Sequence, residues 1–309
     1  MSKFLKTAEK SKSVNDSVLT CIHAGFYFTD YAMKEKRNLE TAYGAMVFRE
    51  VLHGPHFRVA THKRNGKFVA SRGGPRIADV IDGFERAIAI LYGSHVLDRQ
   101  EKWLNYYCDV FSHLLEQYRL GIVTTNYDLV AEIALNHLKD KGGPPTSYCF
   151  QADWGLREYV PILKLHGSVN WPKSGDLNLR DVPTDAPPLA KAYVLPPTWN
   201  KDLATNRVFG DVWTDAVDLI VEAEEILVIG QSFPKTDLHL GYLFAEALSK
   251  RTGQEQRRVT IVDANKKIAS TVCARFKKYQ TVREATAYKV PFKQLKDALV
   301  NGLLNSTNP

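Results

Sequence analysis

The sequence predicts an α/β fold, a doubly wound Rossmann-type parallel sheet with a helical insertion and a long Pro-rich excursion. Two stretches carry the prediction: Gly-Ile-Val-Thr-Thr-Asn-Tyr-Asp at 121–128 and Leu-Lys-Leu-His-Gly-Ser at 163–168. Each is a short apolar or β-branched run that ends abruptly in polar groups, as a parallel strand does where its carboxyl end opens on a ligand crevice. Downstream, further apolar runs alternate with helical periods, the order that crossover units require. Asn126, Asp128 and His166 then fall along one rim. An amide, a carboxylate and an imidazole at strand ends can orient a sugar, hold an amide-bearing leaving group and move a proton near neutral pH.

The elements follow in order. Residues 18–24, Val-Leu-Thr-Cys-Ile-His-Ala, read as a first buried strand, central and parallel to those ending at Asn126 and Ile229, with Gly25 turning the chain into Phe26-Tyr27-Phe28. Residues 42–51 suit a helix, and 57–69 alternate around Asn65-Gly66, a hairpin signal closed by Arg72-Gly73-Gly74-Pro75. Helices are predicted over 77–92 and then along Leu104, Tyr107, Cys108, Phe111, Leu114, Leu115 and Tyr118, an aromatic stripe read as core packing. A helix over 129–138 stops at Gly142-Gly143-Pro144-Pro145. Residues 171–211 are rich in Pro, Asp and Asn and hold one strand, 192–195. An amphipathic helix through Val212, Trp213, Ala216, Val217 and Ile220 leads to a strand at 226–230, a helix at 239–250 and a strand at 259–262 that ends in Asp263-Ala264-Asn265. One domain is expected over 1–309: first strand and nucleotide loop at 18–28, mostly helical insertion at 40–118, and Rossmann core at 119–309.

Composition narrows the function classes. A chain of 309 residues with 44% hydrophobic and 24% charged residues is ordinary globular material. No apolar run approaches the ~18 residues of a membrane span, so a soluble protein is expected. Cys21, Cys108, Cys149 and Cys273 lie far apart without a C-x-x-C pair, which indicates neither zinc ribbon nor disulfide framework and fits a reducing cytoplasm. The net charge of +7 is concentrated in two runs: Arg58, Lys63, Arg64, Lys67, Arg72 and Arg76, and then Arg257, Arg258, Lys266, Lys267, Arg275, Lys277 and Lys278. Such runs are usually solvated faces; they allow phosphate or nucleic-acid contact without indicating it.

Four motifs in order, Thr-Thr-Asn-Tyr-Asp at 124–128, Leu-His-Gly-Ser-Val-Asn-Trp at 165–171, Leu-Pro-Pro-Thr-Trp-Asn-Lys at 195–201 and Ile-Gly-Gln-Ser-Phe-Pro-Lys-Thr-Asp at 229–237, resemble the sirtuin-like proteins of prokaryotes, many of them in anti-phage defence. The resemblance implies a Rossmann-type sheet that takes NAD at the strand carboxyl ends. His166 resembles the family's general base, against the reading of a hydrogen-bonded strand-end histidine. Asn126 resembles the asparagine that holds ribose or water, and Asp128 the acid beside the nicotinamide amide, or equally a helix cap. Thr125, Gly230, Ser232 and Asn265 fall with the cofactor-contacting positions, while Asp237 suits a helix cap.

Two departures accompany the resemblance. The four-cysteine zinc module of protein-deacylating sirtuins is missing after His166, so no metal is expected and a deacylase is disfavoured. The Gly-Ala-Gly-x-Ser loop of the family is matched only by His23-Ala24-Gly25-Phe26-Tyr27, which puts a side chain where glycines let the main chain approach a pyrophosphate. The activity implied is hydrolysis of NAD to ADP-ribose and nicotinamide, plausible as a defence effector acting as a homo-oligomer or with a defence partner. The alternative is a non-catalytic module that binds NAD or ADP-ribose, or a scaffold.

Overall fold

A computed structural model describes residues 3–304 except 12, 34–38, 57–61, 65–66, 70–74, 98–99, 151–157, 174–176, 196–206, 234–236 and 251–256. The Asn65-Gly66 turn, Arg72-Gly73-Gly74, most of the Leu-Pro-Pro-Thr-Trp-Asn-Lys motif and the Pro-Lys-Thr of the last motif lie outside the described residues. The N-terminal part is helical: α1 (Lys3–Lys10), α2 (Asp16–Met33), α3 (Leu39–His53), then the antiparallel pair β1 (His62–Arg64) and β2 (Lys67–Val69), α4 (Ile77–Leu97) and α5 (Gln100–Gln117). The α/β part follows with β3 (Ile122–Thr124), α6 (Val130–Lys139), β4 (Thr146–Ser147), β5 (Val160–Lys164), β6 (Gly167–Pro172), β7 (Ala192–Val194), α7 (Arg207–Glu222) and β8 (Glu225–Ile229). It ends in α8 (Leu238–Ser249), β9 (Arg257–Asp263), α9 (Lys266–Phe276), β10 (Val282–Lys289) and α10 (Leu295–Val300).

Two three-stranded parallel sheets organise this part, in the orders β3-β5-β4 and β10-β9-β8, consistent with a Rossmann-like α/β fold. The middle strand of each is the most buried. Every residue of β5 is buried, and β9 buries Val259, Ile261 and Val262. A parallel strand paired on both sides and covered on both faces has no wet surface, which is why these runs lack polar alternation. The covering helices have apolar stripes at helical spacing, with Val208, Phe209, Val212, Trp213, Ala216, Leu219 and Ile220 buried along α7. One continuous core joins both sheets to α5, α7, α8 and α9. Residues 171 and 172, expected in the long excursion, belong instead to β6, which pairs antiparallel with β7.

The predicted first strand is a helix. Residues 18–24 lie inside α2, where Val18, Cys21, Ile22, Gly25 and Phe26 are buried. Their spacing, i, i+3, i+4, i+7 and i+8, is the helical stripe; the β-branched character of a short apolar run had concealed it. His23, Ala24 and Gly25 therefore form no loop at a strand end. Ala24 is packed in a helical cluster with α3 and α4, and His23 pairs through Nε2 with Glu9 Oε1 at 3.2 Å. In the described ladders β3 and β8 each pair along one edge only. The helical part is also not an insertion after a strand, since only helices precede it among the described residues.

Helices α2 and α4 approach closely through two glycines. A Cβ on Gly25 would come within 2.4 Å of the Phe84 ring, and one on Gly83 within 2.6 Å of Cys21 Cβ. Phe84 is fully buried and in edge contact with Phe26, centroids 5.6 Å apart, so it has no room to retreat. Gly83→Val is expected to cost about 1–3 kcal/mol by overpacking this crossing, read as a lower urea midpoint.

Candidate functional site

The site forms where the carboxyl ends of β3, β5 and β8 meet. Thr124 carbonyl accepts from the Leu165 backbone N–H at 2.9 Å, so the end of β3 is fastened to the turn after β5. Gln231, just beyond β8, donates through Nε2 to Thr125 Oγ1 at 3.2 Å. That side-chain bond links the ends of the two parallel sheets. Asn126 is exposed beside it, its backbone N–H held by Thr124 Oγ1 at 3.1 Å.

His166 occupies the tight turn between β5 and β6. Gly167 makes that turn possible: its φ is +80°, and a Cβ there would lie 2.2 Å from the Tyr193 carbonyl oxygen. The His166 carbonyl accepts from Leu195 N–H at 2.7 Å, and the Trp213 indole donates to the neighbouring Leu165 carbonyl at 2.9 Å. The side chain is 10% exposed, with Nε2 3.4 Å from Asp237 Oδ2 and its ring 6.1 Å from that of Tyr127. Tyr127 is fixed in turn, its hydroxyl donating to Leu195 carbonyl at 2.9 Å and its own carbonyl accepting from Val169 N–H at 3.0 Å. An imidazole set against a carboxylate on a mostly buried turn is equipped to take up and release a proton.

The remaining candidates are partly committed to structure. Asp128 Oδ1 accepts from Val130 N–H at 3.1 Å, one residue before Leu129, the N-cap of α6. Asn265 Oδ1 accepts from Lys267 N–H at 3.0 Å and caps α9. Gly230 takes a φ of +62° and donates to Val262 carbonyl at 2.9 Å; Ser232 is exposed beside it. His23, Ala24 and Gly25 contribute their contacts to α1 and α4, as described above, and no pyrophosphate loop forms from them.

Sequence reasoning missed Gln231 as the tie between sheets, Lys164 and Glu132 beneath the rim, and the contact of Asp237 with His166. A Gly-Gln-Ser motif, a lysine ending an apolar strand and a glutamate on an apolar helix face were the available signals. The second basic run also reads differently in three dimensions. Arg257 is fully buried and donates to the carbonyls of Val221 and Ala223 at 2.9 and 3.2 Å, Arg258 pairs with Glu225, and Arg275 donates to Phe233 carbonyl at 2.7 Å. Lys266, Lys267, Lys277 and Lys278 stay exposed. Among the described residues no three His, Cys, Asp or Glu side chains are grouped as metal ligands, and no helix is long and apolar enough to cross a membrane.

The carboxyl ends of parallel strands in this α/β protein thus gather an amide, a hydroxyl and a histidine–carboxylate pair. The model of the SIR2-like domain matches residues 120–284, over half of the chain, from just before β3 into β10. The chain belongs to the SIR2-like family, which ties it to NAD. A search of curated proteins finds no match to it.

Asp237 has two partners that substitution can separate, since its Oδ1 also accepts from Leu240 N–H at 3.4 Å as the cap of α8. Asp237→Ala is expected to cost about 0.5–2 kcal/mol and Asp237→Asn much less, because asparagine caps as well. Urea unfolding of the two variants reads the difference.

Proposed function

We propose that the rim at the ends of β3, β5 and β8 recognises NAD or ADP-ribose, and that this chain by itself binds the nucleotide without turning it over. The observation behind this reading is the placement of His23, Ala24 and Gly25 inside the helix α2, because the glycine-bearing loop that would bring main-chain N–H groups to a pyrophosphate is not formed by those residues. Asn126, Thr125, Gly230 and Ser232 are the rim groups proposed to contact ribose and phosphate, with Asn265 toward the adenosine end. The proposal includes a doubly wound order for the two sheets, a cytoplasmic setting and a defence role exercised with a partner protein or a second copy.

A second reading, hydrolysis to ADP-ribose and nicotinamide, is favoured by the contact between His166 and Asp237. In that reaction Asn126 and Asp128 hold the nicotinamide riboside. His166 takes a proton from the attacking water as its oxygen bonds to the ribose carbon and the carbon–nitrogen bond to nicotinamide breaks.

Calorimetric titration and a nicotinamide-release assay decide between them. The expected result is binding of ADP-ribose, weakened about tenfold or more by Asn126→Ala as a polar contact is lost, with no nicotinamide freed over long incubation. Failure of both NAD and ADP-ribose to bind would overturn the first reading. Release of nicotinamide, reduced ~10²–10⁴-fold in His166→Ala, would establish the second.

A further inference from the structure

A buried ion pair beneath the rim has no part in the reading above. Lys164, the last residue of β5, and Glu132, in the first turn of α6, are each 1% exposed, with Nζ and Oε1 2.7 Å apart. Taking two charges out of water is costly, and apolar side chains of similar volume often fill such a site without loss of stability. The pair is therefore poorly explained as a stabiliser alone. Its further contacts suggest another role.

Lys164 Nζ also donates to the backbone carbonyl of Asp128. One ammonium thus joins the strand that leads to His166, the helix that follows β3, and the turn that carries Asn126. From Glu132 the network continues inward. Oε1 accepts from the Tyr148 hydroxyl at 3.2 Å, that hydroxyl accepts from Asn170 Nδ2 at 2.9 Å, and Asn170 Oδ1 accepts from Ser168 Oγ at 2.7 Å. Burial, and after it the charge of Glu132, holds the Tyr148 phenol well above its usual pKa, so it keeps its proton as a donor. Ser168 and Asn170 lie on β6, two and four residues beyond His166, so the network grips the His166 turn from both strands and the Asn126 turn through its carbonyl.

We propose that Lys164 and Glu132 are the positioning residues of the rim, holding the Asn126–Asp128 turn in fixed register with His166 so that a nucleotide meets a preformed edge. The role in binding rests on the reading of the rim as a nucleotide site. The clamp on the turn can be tested without it.

The double variant Lys164→Met/Glu132→Leu removes the pair without stranding a charge, and its melting temperature establishes that it folds. Amide hydrogen exchange at Asn126 and Val130 is expected to accelerate at least tenfold, with Ile162 and Leu163 in β5 unchanged; unchanged exchange at Asn126 and Val130 in the folded variant overturns the proposal. ADP-ribose affinity should fall at least tenfold, whereas Glu132→Gln, which keeps an acceptor for the ammonium and for Tyr148, should stay within about threefold of the natural protein. An equal loss in Glu132→Gln would overturn the positioning role in favour of a direct need for the charge. If the double variant does not fold, the natural protein still decides: free exchange at Asn126 and Val130 overturns the clamp, and protection of about 100-fold or more supports it. No ADP-ribose binding by the natural protein would remove the nucleotide reading while leaving the exchange result to judge the clamp.

Discussion

The ammonium of Lys164 stays at the end of a wholly buried strand because Glu132 and the Asp128 carbonyl solvate it in place of water. Much of the site depends on that substitution. The partners come from the helix and the turn after β3, so satisfying one buried charge brings the loop of one strand against the end of the next. His166 follows only two residues later, and its turn is possible because Gly167 accepts a left-handed backbone against the Tyr193 carbonyl. Position at the rim is thus set by backbone and buried polar groups rather than by exposed side chains.

The two parallel sheets share a core, yet no ladder joins them among the described residues. Their carboxyl ends are linked instead by the Gln231–Thr125 bond. Around Gly230 the backbone is set by packing: Phe233 adopts a φ of +48°, its N–H bonded to Gln231 Oε1 and its carbonyl to Arg275, with its ring in edge contact with Phe244 and Phe276. A non-glycine residue in that region is costly and persists where surroundings over-determine it. The same Gln231 that reaches across to Thr125 through its nitrogen holds this bend through its oxygen.

The basic runs illustrate how charge changes meaning on folding. Arg257 and Arg275 spend their guanidinium donors on carbonyls that close the edges of α7 and the bend at Phe233, and Arg76 forms a local pair with Asp79 at 2.8 Å. What remains for an acidic partner in the second run is a set of exposed lysines on α9 and just after it. That is a smaller and more local field than the linear run implies.

Helical periods in α5, α7 and α8 and the apolar runs of β5, β8 and β9 were legible because burial on one stripe, or on both faces, leaves a direct pattern in residue order. The polar strand ends at 124–128 and 165–168 were legible for the same reason, and they carry much of the resemblance to the family. Residues 18–24 fit either period, since six of the seven are apolar or β-branched; packing on Phe84 and Val80 decided for helix. Sequence alone therefore determined the α/β class of residues 120–284 and the residue types at the rim, since both follow from local burial and strand-end polarity. Only the tertiary structure decided that Asp237 faces His166, that Gln231 reaches Thr125, that Lys164 holds the Asp128 carbonyl, and that the N-terminal run packs as helix. Each joins residues from different elements, and pairing across such separations depends on how the sheets and helices meet, which residue order does not encode locally.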